Sequence, residues 1–336
     1  MNNRLNKQQI LIVGAGWAGL PLAQLLVAHG ADVIATKQNV TPKLKAELEG
    51  AVNGSPGSLQ LISLSEEHLF DPFNENAVTQ FAAAFKNRSI IITIPPSPFI
   101  GNKGINWERD KATRSDRSLK TEIAPTYGEM IGKIVELAER YHARSLLFLS
   151  STSLYGATSG LIHEAIPALP QTDNAKAILT AEACINQSLL PSTILRLGGL
   201  IGHGRHPIYH LAGREGIKSP YDAINLLHIE DLLSAIATLI TQQISGEHQD
   251  QSSRLYNVVT PLHLERKCYY QTLAQKLALP LPQFESPKPL LKRIVDGGRI
   301  THETAFIYRQ LDLVNASLTP LTRKEIESIK IFLQDQ

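Results

Sequence analysis

At 336 residues, with 33 lysines and arginines against 31 aspartates and glutamates, the chain carries a net charge of +2. Its length suits one large or two intimate domains, and so even a charge balance argues against a nucleic-acid or anionic-membrane partner. No apolar stretch reaches bilayer length, and the polar opening Met1–Gln9 lacks the apolar core of a secretion signal, so a cytoplasmic protein acting on a small molecule is expected.

The first apolar run, Ile10–Val13, leads into Gly14-Ala15-Gly16-Trp17-Ala18-Gly19 and then into the helix-like segment Leu20–His29. A strand, a Gly-x-Gly-x-x-Gly turn and a helix in that order mark a dinucleotide-binding βαβ unit. Gly14 permits the tight turn, Gly16 lets the backbone approach a pyrophosphate, and Gly19 lets the helix pack on the strand. Trp17 and Ala18 belong to the same phosphate-facing turn, where the N–H groups and positive dipole end of the new helix point.

The second run, Asp32–Thr36, decides the cofactor type. Enzymes that use NAD place an acid about 20 residues beyond the glycines, on the ribose hydroxyls. Here Thr36 and Lys37 stand at that end without an acid. A hydroxyl donor and a cation suit the 2′-phosphate of NADP, so NADP is expected over NAD. Further strand-like runs follow at Leu59–Ser63, Ile90–Ile94, Leu146–Ser150, Thr193–Leu197 and Tyr256–Val259, several apolar almost throughout, as strands buried on both faces are. Between them lie helix-length segments at Glu75–Phe85, Ile123–Tyr141, Ala175–Leu189 and Ile229–Gln243. This alternation predicts an α/β fold, a Rossmann-type doubly wound parallel sheet. Residues 1–200, with 225–260 returning to them, form its dinucleotide-binding domain; residues 201–224 and 261–336 form a smaller C-terminal substrate domain. A charged loop over Gly101–Lys120 and helices over His263–Leu279 and Arg323–Phe332 complete the expectation.

Four blocks carry a family resemblance. They are the glycine turn, then Leu146-Leu-Phe-Leu-Ser150-Ser151-Thr152-Ser153-Leu-Tyr155-Gly156, then Thr193-Ile-Leu-Arg196-Leu-Gly-Gly-Leu-Ile-Gly202-His-Gly204-Arg205, then Asn225-Leu-Leu-His228-Ile-Glu-Asp231-Leu-Leu-Ser-Ala235. In that order they resemble the landmarks of the extended short-chain dehydrogenase/reductase superfamily, and most closely an atypical branch of NAD(P)-dependent epimerase/dehydratase-like proteins. The resemblance implies that Ser151 hydrogen-bonds a substrate carbonyl or hydroxyl, with Thr152 and Tyr155 as further catalytic candidates from the same turn. It places Ser150, Pro95 and Pro96 along the cofactor. It also implies a homodimer through the helices at Ile123–Tyr141 and Ala175–Leu189.

The chain departs from that superfamily at one point. The helix after the Ser-rich strand normally carries a Tyr-x-x-x-Lys pair, the proton donor and its activating cation. Aligned on Glu182, this helix has Asn174 and Ile178 at those positions; shifted to use Lys176, it has Thr172 in place of the Tyr. Neither register restores the pair. The loop after the sixth strand offers Arg205 and His206, and the following segment Arg214, as groups for an anionic substrate, with His206 and His210 as candidates to titrate near neutrality. His228 and Asp231 read as residues that fix a helix start. Cys184 and Cys268 are far apart, and no metal-ligand spacing occurs. The expectation is an NADP-dependent reductase of a C=O or C=N group, with an epimerase- or dehydratase-like enzyme and a non-catalytic NADP(H) sensor as alternatives.

Overall fold

The computed structural model of the chain describes residues 5–64, 81, 83–96, 126–202, 204–244, 253–285 and 292–316. The loop expected at Gly101–Lys120, the helix at Arg323–Phe332 and most of the one at Glu75–Phe85 lie outside these residues.

A seven-stranded parallel sheet forms the centre. Its strands are β1 (Gln9–Val13), β2 (Asp32–Lys37), β3 (Ser58–Ser63), β4 (Ser89–Ile92), β5 (Ser145–Ser151), β7 (Ser192–Leu197) and β10 (Arg254–Val258), in the order β10-β7-β5-β4-β1-β2-β3. Every neighbouring pair in it is parallel. The fold is therefore the expected doubly wound α/β type. The order reverses between β1 and β4, and ligands of such sheets bind in the crevice beyond the strand ends at that point.

Helices cover both faces because side chains alternate along each strand. On one face α1 (Gly19–Ala28) and α6 (Ile229–Ile244) bury Leu22, Leu25, Leu233 and Ile236 with Ile10, Ile12 and Leu195 of the sheet. On the other, α3 (Tyr127–Arg140) and α4 (Asp173–Asn186) bury Ile131, Ile134, Ile178 and Ile185 with Ile90, Ile92, Leu146 and Phe148. A capping box starts α3: Thr126 accepts the Glu129 N–H, and the Glu129 carboxylate accepts the Thr126 N–H. The α3 residues Met130, Ile131, Ile134, Val135 and Leu137 are all buried within the chain.

Smaller elements complete the fold. Helix α2 (Pro42–Ala51) links β2 to β3; β6 (Gly160–Ile162) pairs with β11 (Arg293–Val295), and β8 (Gly199–Ile201) with β9 (Leu226–His228). Helices α5 (Ile208–Leu211), α7 (Arg266–Lys276) and α8 (Gly298–Glu303) belong to the C-terminal half. A separate small core joins Ile201, Ile208, Ile224 and Leu226 to Tyr269, Tyr270, Leu273 and Leu313. Helix α7 is shorter than its apolar pattern, because the residues before it pair with another strand-like segment: the Ile224 N–H donates to the Leu264 carbonyl at 2.9 Å. Asp231 does more than start a helix. Its carboxylate accepts the backbone N–H groups of Arg309 at 2.9 Å and Gln310 at 3.1 Å, which ties the C-terminal segment to α6.

Candidate dinucleotide site at the sheet switch point

The glycine turn closes the carboxyl end of β1, and both neighbouring strands brace it. From β2, the Thr36 hydroxyl accepts the Gly14 N–H at 3.0 Å. From the end of β4, the Thr93 hydroxyl donates to the Gly14 carbonyl at 2.5 Å. Strand β4 therefore stops two residues short of the apolar run that announced it: Thr93 and Ile94 turn toward the glycines and into Pro95. The exit is held from below by Tyr127, whose hydroxyl donates to the Ile94 carbonyl at 2.8 Å. Pro95 is exposed and Pro96 half-buried beside it.

The three glycines serve different ends. A Cβ on Gly14, where φ is +113°, would stand 2.9 Å from Thr93 Oγ1, and one on Gly19 would strike the Gly14 carbonyl oxygen. Packing within the chain explains both. A Cβ on Gly16 would meet nothing within 4 Å. Gly16 is exposed at the end of the sheet, directly before the first turn of α1, so the space that its missing side chain leaves lies open beside the helix N-terminus, where a phosphate is favoured. Trp17 and Ala18, which follow Gly16, are half-buried against the α1–α6 core. These residues fit a dinucleotide pyrophosphate.

At the ribose end, the structure corrects one assignment. Thr36 is buried, and its hydroxyl serves the turn, so it does not face a 2′-phosphate. Lys37, the next residue along β2, does reach the opening: its Nζ donates to the Ala15 carbonyl at 3.3 Å.

The Ser-rich strand end separates into an inward and an outward residue. Ser150 faces α4 and is buried, donating to the Glu182 carboxylate. Glu182 also receives Arg196 through Nε at 3.0 Å and Nη2 at 2.7 Å. Arg196 stands in register between Ser150 and Asn257 across β5, β7 and β10. Its guanidinium lies 4.9 Å from the centre of the Tyr155 ring, and the Tyr155 hydroxyl donates to Asn257 Oδ1 at 2.8 Å. Burial opposes the Arg196 charge, but the Glu182 carboxylate outweighs it and holds the guanidinium protonated. Burial likewise raises the Tyr155 pKa against the pull of Arg196. Ser150 and Tyr155 are thus parts of a sealed polar network, and neither opens onto the crevice.

Ser151 is half-buried at the strand end. Its hydroxyl oxygen accepts the Ser153 N–H at 3.1 Å and so caps the 3-10 turn Thr152–Tyr155. A hydroxyl that accepts one bond can still donate another, so the cap orients Ser151 without using its proton. Thr152 is buried, and its carbonyl accepts from Arg293 Nη2 at 2.6 Å. Arg293, on β11 in the C-terminal half, belongs to no motif and is invisible in the sequence. Burial lowers its pKa, while Asp222 and Tyr155 favour its charge.

The loop after β8 also differs from expectation. His206 is buried: Nδ1 accepts the Ile208 N–H at 3.0 Å, and Nε2 lies 2.8 Å from the Tyr269 hydroxyl. Tyr269 in turn donates to the Leu313 carbonyl at 3.2 Å. With Nδ1 accepting, the neutral ring carries its proton on Nε2 and donates to Tyr269. Burial pushes the His206 pKa down to about 4, so this residue neither titrates near neutrality nor reaches a substrate. Arg205 is exposed, with its guanidinium 5.0 Å from the centre of the Trp17 ring. Arg214 and His210 are exposed on the same side segment. On α4, Lys176 is exposed and pairs with Asp173 at 3.6 Å, and Ile178 is buried in the core.

No protein-family model matches the chain. It is 30% identical over 309 residues to Protein YeeZ of Escherichia coli strain K12, a match spanning 91% of this chain and 97% of that one. Among solved structures, MoeE5 in complex with UDP-glucose and NAD has a TM-score of 0.64 at 18% identity, covering 97% of this chain and 99% of that chain. UDP-glucose 4-epimerase from Bifidobacterium longum, in complex with NAD+ and UDP, has a TM-score of 0.64 at 14% identity, covering 92% and 96%. At these identities the likeness is one of fold.

Proposed function

The chain belongs to the family of Escherichia coli YeeZ, and within it we propose an NADP-dependent oxidoreductase that reduces a C=O or C=N group of a small metabolite. The observation that carries this reading is the contrast among the glycines. Gly14 and Gly19 answer to the chain's own packing, whereas the opening at Gly16 answers to nothing in it. A pyrophosphate at the α1 N-terminus accounts for it. Support also comes from the fold neighbours, whose structures hold NAD. Lys37 is the residue for the 2′-phosphate, and Pro95 and Pro96 form the opposite wall.

The bound cofactor supplies a hydride. Ser151 donates a hydrogen bond to the reacting heteroatom as negative charge develops there, a contact stronger in the transition state than in the ground state. Helix α4 contains no Tyr-x-x-x-Lys sequence, and Tyr155 and His206 are sealed inside. Solvent water at Ser151 then supplies the proton. Arg214 is the cation on offer to an anionic substrate. The neighbour solved with UDP-glucose favours a second reading on the same residues, an epimerase- or dehydratase-like reaction in which the hydride is borrowed and returned.

Calorimetric titration with NADPH and NADH tests the cofactor assignment. Wild-type protein should bind both, NADPH more tightly, and Gly16→Val should bind neither while melting as wild type does. Wild-type affinity in Gly16→Val would place the nucleotide elsewhere. A protein that binds NADPH yet never oxidises it with any of a panel of aldehydes, ketones and imines would instead be a sensor.

A further inference from the structure

The inference rests on the dinucleotide reading above and concerns what holds the pyrophosphate from its open side. The turn from Gly14 to Gly19 contains no cationic side chain. Lys37 enters from β2, outside the turn, and donates to the Ala15 carbonyl. The turn's own backbone N–H groups would face two phosphate charges without a cation from the turn itself.

Arg205 comes from the other half of the molecule to this place. Its guanidinium stacks on Trp17, the residue directly after the open Gly16. Its backbone is fixed on both sides. Arg205 and Gly202 exchange two hydrogen bonds, each 2.9 Å, and the next residue, His206, is buried with both ring nitrogens engaged. Arg205 is thus anchored through its backbone while its side chain is exposed. The guanidinium carbon lies over the indole face, 5.0 Å from its centre, and a guanidinium held over an aromatic ring can still offer N–H groups to oxygen atoms in a bidentate manner. An exposed contact of this kind is weak by itself. It orients the arginine; it does not hold the fold.

We propose that Arg205, carried on Trp17, clamps the dinucleotide pyrophosphate and is a cofactor residue, where the sequence suggested a substrate residue. The clamp joins the small C-terminal core to the glycine turn through the bound nucleotide.

The test uses the full chain and two ligands, NADPH and adenosine 2′-monophosphate, which has the adenosine and the 2′-phosphate but no pyrophosphate. Arg205→Ala should weaken NADPH by about tenfold to a hundredfold and leave adenosine 2′-monophosphate unchanged. Arg205→Lys, which keeps a charge but loses the planar stack, should fall between wild type and Arg205→Ala for NADPH. Unchanged NADPH affinity in Arg205→Ala overturns the proposal, and so does an equal loss for both ligands. Wild-type protein that binds neither ligand overturns the dinucleotide reading itself, and the clamp with it.

Discussion

The Thr36 hydroxyl accepts the Gly14 N–H at 3.0 Å, so the end of β2 braces the glycine turn. Adjacent residues on β2 therefore have separable effects. Thr36→Val removes the brace and leaves the half-buried Gly14 N–H without this partner, at a cost of about 1 kcal/mol. It should weaken NADPH and NADH alike, with their ratio kept. Calorimetry on the purified variant reads this directly, and a changed ratio would return Thr36 to the ribose end.

Lys37→Ala should do the opposite. The Lys37 ammonium reaches the Ala15 carbonyl from β2. As it is the residue proposed for the 2′-phosphate, its loss should cost NADPH roughly tenfold in affinity and spare NADH. The melting temperature should stay within a degree or two of wild type, because the side chain is not part of the core. Equal losses for the two cofactors would remove Lys37 from the selectivity argument.

Once a substrate is in hand, Ser151→Ala should reduce kcat by about a hundredfold to a thousandfold with little change in NADPH affinity. Lys176→Ala should leave both near wild type, because Lys176 is exposed and paired only with Asp173 among the described residues. The reverse pattern, a dead Lys176→Ala with an active Ser151→Ala, would move the chemistry to α4.

The Glu182–Arg196 pair sits at a dry junction of β5, β7 and α4, with both side chains less than a tenth exposed. Glu182→Ala leaves the Arg196 guanidinium buried and uncompensated, a loss of about 3–5 kcal/mol. Urea unfolding should show it as a large drop in midpoint. A double variant, Glu182→Leu with Arg196→Met, should recover much of that loss, since removing both charges also removes the need to pair them. A single variant as stable as wild type would mean that water reaches the pair.

Acid should destabilise the protein partly through His206. Burial holds its folded pKa at about 4, below the ordinary value of 6.5. Above pH 6.5 the ring is neutral in both states and contributes no pH dependence. As the pH falls from 6.5 toward 4, the unfolded chain takes up the proton first and stability is lost; below 4 the loss levels off. Between pH 7 and pH 5 the group accounts for roughly 2 kcal/mol. Wild type should therefore lose that much more than His206→Gln over the same interval in urea titrations. Parallel curves for the two would show that His206 is accessible to solvent.

The sequence by itself determined the fold class, the strand that opens it and the place of the glycine turn. Each of these rests on local rules: alternation of apolar runs with helix-length segments, and a turn that only small residues can make. It also put Ser151 at the end of a sheet strand. Which residues of a motif face the crevice was decided only by tertiary structure. Ser150 and Ser151 are neighbours in the chain, yet the pleat sends the first to Glu182 and leaves the second at the strand end. Thr36 and Lys37 divide in the same way, one to the turn and one to the opening. Contacts between distant segments were beyond reach for a different reason. The Arg293 bond to the Thr152 carbonyl spans 141 residues, and the Arg205 stack on Trp17 joins the small core to the sheet. No periodicity or spacing records such pairs, because they exist only after the chain has folded back on itself.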